Sequence, residues 1–75
     1  MKNLSELKLG TKAIIDSFSD KELALKLMDM GCLPGEKIHI ERKAPLGDPI
    51  AISISGYVLS MRKAEAETIL VNEIK

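Results

Sequence analysis

The chain contains no tryptophan, and Phe18 and Tyr57 are its only aromatic residues. A core without rings must be aliphatic, and nine Ile and ten Leu supply it. β-Branched side chains suit a small, tightly curved sheet. Ring scarcity also argues against two binding modes. Single-stranded nucleic acid is held by stacking on several aromatics, and a proline-peptide groove needs an aromatic lining. Cys32 is the only cysteine, so no internal disulfide forms and a reducing, cytoplasmic setting is expected. Eleven basic residues cancel eleven acidic ones, which leaves no long-range field for polyanions. No stretch approaches the ~18–20 apolar residues that cross a bilayer. The opening residues Met1 to Glu6 lack the apolar core of a signal peptide. Any membrane role is expected to come through a partner.

The motifs of chemistry are missing too. There is no G-x-x-x-x-G-K-[ST] phosphate loop, and the glycines at 31, 35, 47 and 56 are too scattered to form one. No base–nucleophile pair is evident. A metal site needs several converging ligands, whereas the chain offers one Cys and one His with no C-x-x-C and no H-x-x-x-H. His39 lies between Lys37 and Glu41 on the outer side of its strand and reads as a surface histidine. Cys32 follows a helix stop and reads as a small apolar residue packed on the helix end, in preference to a reactive thiol. Asp29 and Asp48 suit solvated or turn positions. The expectation is therefore no enzyme, no cofactor and no metal site.

Seventy-five residues make one domain, 1–75, with a small core. Leu4 and Leu7 share a face of a possible single turn, which Gly10 ends. A first strand is read over Thr11 to Ser17. Ser19 and Glu22 form an S-x-x-E capping box, with Phe18 and Leu23 as the hydrophobic staple, and predict a helix over about 20–30. Leu23, Leu27 and Met30 recur at helical spacing, flanked by Ala24 and Met28. Leu25 falls off this stripe and is expected to pack under the N-terminal segment. Gly31 sits where a left-handed residue ends the helix. Pro34-Gly35 fits the centre of a type II turn.

Ile38 and Ile40 alternate with polar residues in a half-buried strand. In the next strand Ile50, Ile52 and Ile54 point inward and small residues outward. Gly56 marks a bulge or tight corner, followed by a strand from Tyr57 to Met61. A short helical turn is expected near 62–67 and a last strand at Ile69-Leu70-Val71. About five short strands with one inserted helix indicate a mainly β, partly closed small barrel. The turn-rich loop Ala44-Pro45-Leu46-Gly47-Asp48-Pro49 reads as a connector or as an interface. Two prolines stiffen it, which lowers the ordering cost of binding, so it is the partner-binding segment of choice.

These features in order resemble the FeoA family, small SH3-like barrel proteins associated with bacterial ferrous iron uptake. The resemblance is carried by Leu27 to Gly31, Pro34-Gly35, Ile38 and Ile40, the loop 44–49 and Ile50-Ala51-Ile52. It continues through Gly56, Leu59, Met61-Arg62-Lys63, Glu65-Ala66 and Ile69-Leu70-Val71. Cys32 stands where an aliphatic residue is expected and Met61 where a Leu is expected; both exchanges are apolar. The resemblance places the chain in a system that handles a transition metal. It implies a non-enzymatic cytoplasmic accessory whose partner is a FeoB-type transporter, a membrane protein with a cytoplasmic GTPase domain. Similar domains end some iron-dependent repressors, and this chain has no room for a DNA-binding module. The alternative is a small nucleic-acid-binding or repressor-type regulatory domain.

Overall fold

The Ile alternation sets the sheet. In the computed structural model, which describes residues 1–74, β1 (Lys2–Asn3) leads into a single 3-10 turn at Leu4–Glu6. There follow β2 (Lys12–Phe18), α1 (Lys21–Asp29), β3 (Lys37–Lys43), β4 (Ile50–Ile54) and β5 (Tyr57–Met61). A one-turn helix α2 (Lys63–Ala66) and β6 (Ile69–Glu73) close the chain of elements. All pairings are antiparallel, and the six strands lie in the order β1-β6-β2-β3-β4-β5. The sheet is partly open, with β1 and β5 as its edges. The two-residue β1 was not foreseen; it has too few residues to show a period.

Ile38, Ile40, Ile50, Ile52 and Ile54 are all buried, as the alternation requires. Leu4 and Leu7 close the core from the N-terminal turn. Ala51 is also buried, although it alternates with the isoleucines. Two bulges bend the sheet, at Asp16 in β2 and at Glu41 in β3. Each inserts one extra residue and resets the inward–outward pattern. Past Glu41, Lys43 pairs with Ile50 and its Nζ donates to the Ser5 carbonyl at 3.1 Å. Gly56 lies in the two-residue turn of the β4–β5 hairpin, not in a bulge.

The helix starts one residue later than the Ser19–Glu22 box implies. Its cap is Asp20, whose Oδ1 accepts the Leu23 N–H at 3.0 Å. Ser19 is taken up by the sheet: its N–H donates to the Thr68 carbonyl at 2.8 Å. Glu22 lies in the first turn, where its charge favours the helix dipole, and closes no box. The Phe18–Leu23 staple spacing is lost with the shift, yet both side chains still pack, partly buried, on the core. Leu25 is exposed rather than packed. Met30 caps the other end, and Gly31 follows with φ +105°. The Cys32 N–H reaches the Leu27 carbonyl at 2.9 Å and the Gly31 N–H reaches that of Met28 at 3.0 Å. Together these two bonds make a complete Schellman stop. The Glu36 N–H then closes the Leu33–Glu36 turn on the Leu33 carbonyl at 3.1 Å, with Gly35 at φ +91°, as a type II turn over Pro34-Gly35 requires.

Candidate functional site

The loop between β3 and β4 is held from within and from below. The Gly47 N–H donates to the Ala44 carbonyl at 2.7 Å, closing a β-turn with Pro45 and Leu46 at its centre. Pro at the second position presets the backbone of such a turn. The Ala44 N–H continues the ladder to the Pro49 carbonyl at 3.1 Å, and the Asp48–Pro49 peptide is cis. Asp48 Oδ1 accepts the Lys63 N–H at 3.0 Å, so the loop also satisfies an open donor at the start of α2. Leu46 projects from the turn and is 93% exposed.

Under this loop the outer side of the sheet is hollow. Arg42, Ala51 and Ser60 form one cross-strand row over β3, β4 and β5. With Ala44 and Pro49 they line a cavity of about 250 Å³. A second hollow, of about 280 Å³, is lined by Pro49, Ser60, Met61, Arg62 and Glu65. Pro49 and Ser60 border both, so the two make one groove. Ala51 is 5% exposed because it lies on the groove floor. The sequence signals only the loop; the groove depends on the bulge at Glu41, which brings Arg42 opposite Ala51.

Glu65 ties the groove to α1. Its carboxylate accepts from Lys26 Nζ at 2.7 Å and from the Arg62 N–H at 2.9 Å. The Lys26 bond, then the Arg62 backbone bond, hold its carboxyl below the ordinary glutamate range against the opposing effect of burial.

The other singled-out residues lie apart from this groove. His39 faces outward in the row Lys12, His39, Ser53 and Val58. Its Nε2 is 2.7 Å from Glu41 Oε2. Among the described residues no three His, Cys, Asp or Glu side chains gather as a metal site. Cys32 is fully buried in the core. Burial, with a smaller push from the Glu65 carboxylate, raises its thiol to about 11, so it stays a neutral, packed group. Asp29 is exposed. Among the described residues no polar or charged side chain is buried, and no helix is long and apolar enough to cross a membrane.

A small, partly open antiparallel barrel with its distinctive loop at a hairpin end defines the class: an SH3-like domain. Residues 2–73 match the FeoA domain, and the chain belongs to the FeoA family. It is 35% identical over 72 residues to an Fe(2+) transport protein A/Fe(2+) transporter FeoB fusion protein of Porphyromonas gingivalis. That match takes in 95% of this chain but 8% of the fusion protein's length. A FeoA-like protein from Clostridium acetobutylicum superimposes with TM-score 0.90 at 41% identity, over 99% of this chain and 87% of that one. The FeoA of Stenotrophomonas maltophilia, a procaryotic SH3 domain protein solved with zinc, gives TM-score 0.81 at 27% identity, over 96% and 91%. A manganese-dependent transcriptional repressor shares the fold alone, at TM-score 0.88 and 14% identity over 97% of this chain and 36% of that one.

Proposed function

We propose that this protein is a non-enzymatic accessory of ferrous iron uptake. It works at the cytoplasmic face of the membrane by docking on a FeoB-type transporter through loop 44–49. The observation that carries the reading is the Porphyromonas gingivalis relative, in which a domain similar to this chain and a FeoB transporter share one polypeptide. A fused arrangement keeps two partners at high effective concentration. The loop suits that task. Its backbone is hydrogen-bonded at both ends, so little entropy is lost when it is covered. Leu46 stands ready to be buried.

The test is a titration of the purified protein against the cytoplasmic region of a FeoB-type transporter, with Leu46→Asp beside wild type. Leu46→Asp is expected to leave stability within about 0.5 kcal/mol, as exposed substitutions do. It should weaken docking roughly five- to a hundred-fold, because a carboxylate would enter a desolvated contact. Equal binding by both proteins removes the loop from the interface. Failure of the wild-type protein to bind the transporter removes the accessory role.

A further inference from the structure

The groove under loop 44–49 is bordered by the two arginines of the chain. Arg42 borders one end and Arg62 the other. Among the described residues neither guanidinium forms an ion pair. Three carboxylates of this region are already committed. Glu41 is bonded to His39, Asp48 to the Lys63 N–H, and Glu65 to Lys26 and the Arg62 N–H. Between the two arginines lie Ala51, Ser60, Ala44 and Pro49, and at the Arg62 end Met61 and Glu65, whose carboxylate is taken up by Lys26 and the Arg62 N–H.

We infer that this groove receives an extended acidic segment of the partner protein, its carboxylates meeting Arg42 and Arg62 and an apolar side chain meeting Leu46. The inference rests on the docking reading and names the chemistry of the partner. Guanidinium is the group suited to carboxylate, since its planar fork offers two parallel donors. Two separated arginines with an apolar interval match a peptide in which acidic and apolar side chains alternate. A phosphate polymer would call for a continuous basic track and stacking rings. The groove offers neither, and the chain's charges cancel overall.

The experiment follows backbone amide shifts of the full-length protein during titration with the acetylated, amidated hexapeptide EDLLDE. Its counterpart with lysine at every acidic position and an oligothymidylate are the controls. Saturable shifts at Arg42, Ala51 and Ser60 are expected with the acidic peptide, and none with the lysine peptide. In R42Q/R62Q the apparent affinity should fall at least about five-fold at low salt, and less as salt is raised. Both side chains are exposed, and the spectrum of R42Q/R62Q itself reports whether the variant is folded. The inference fails if those amides do not move by about 5 mM peptide, a limit set near the weakest measurable affinities. It fails equally if R42Q/R62Q binds the peptide like wild type, or if the oligothymidylate moves the same amides more tightly. The docking reading is judged apart, by the transporter titration. Wild type that binds the transporter but not the peptide overturns only the groove chemistry. Wild type that binds the peptide but not the transporter overturns only the accessory role.

Discussion

Tyr57 Oη donates a hydrogen bond to the carbonyl of Met30 at 2.8 Å. One of the few rings of the chain thereby locks the edge strand β5 to the end of α1. The bond serves a carbonyl at the helix C-terminus, where carbonyls lack partners within the helix. It also settles what can follow Met30. A Cβ built on Gly31 would run into Tyr57 Oη, and the φ of +105° at Gly31 already excludes ordinary side chains. Gly31 is thus fixed twice, by its own backbone and by a residue 26 positions further along.

Gly31→Val should therefore cost more than backbone strain alone, which is on the order of 1–3 kcal/mol. Tyr57→Phe should cost about 1 kcal/mol for the lost hydrogen bond. Removing the hydroxyl also clears space beside residue 31, so the double variant should lose less than the two single losses combined. Urea denaturation of all four proteins measures this. Strict additivity would mean that the hydroxyl and residue 31 do not crowd each other.

At the other end of α1, Asp20→Ala should cost about 1 kcal/mol, the usual worth of an N-cap. Ser19→Ala should cost less, because the short bond that holds Ser19 to Thr68, at 2.8 Å, comes from its backbone N–H, and the hydroxyl adds only a long one at 3.5 Å. Thermal melts of the two variants decide between the two caps. A larger loss for Ser19→Ala would restore the capping box.

Cys32 gives a dependence on alkaline pH. Its thiol titrates near 11 in the folded chain, against 9.0 ordinarily. The folded state therefore holds a proton that the unfolded state releases, and stability falls as pH rises from about 9 to 11. The loss by pH 11 is on the order of 2–3 kcal/mol. Cys32→Ala lacks this titration, so the gap between wild type and Cys32→Ala should narrow across that window. Parallel curves would show a thiol that titrates normally. At pH 8 a thiol-specific disulfide reagent should modify Cys32 only after unfolding.

Ferrous iron should find no specific site on the isolated protein. His39 and Glu41 supply two ligands, and a stable site requires more. Anaerobic calorimetry with ferrous iron should show no stoichiometric micromolar binding. Such binding, lost in His39→Ala, would overturn this.

The parts of the fold governed by local rules were legible in the sequence. Ile38, Ile40 and the three isoleucines of β4 declared their face by alternation, and Gly31 and Pro34-Gly35 declared the stop and the turn. Features decided at long range were not. Ser19 and Asp20 are both good caps, and only Thr68, far along the chain, takes Ser19 away from the helix. The bulges at Asp16 and Glu41 carry no glycine or other local mark. Without the second bulge, the row of Arg42, Ala51 and Ser60 could not be foreseen, nor the burial of Ala51. The loop 44–49 was visible through its prolines and glycine, but the groove beneath it is a product of register. In the sequence Tyr57 marks only the start of a strand; its role as a latch needs the helix end beside it.

The pairing of β1 with β6, Lys2 opposite Val71, also governs when the molecule can come into being. β6 is the shared neighbour of β1 and β2, so a nascent chain lacking it leaves β1 with no partner and β2 paired on one side only, with β3. Such distant partners must close nearly the whole chain into a loop before any contact rewards them. Closure of the sheet over β1 therefore waits for β6. A truncated product is not a smaller barrel but a pair of unpaired edges, open to aggregation.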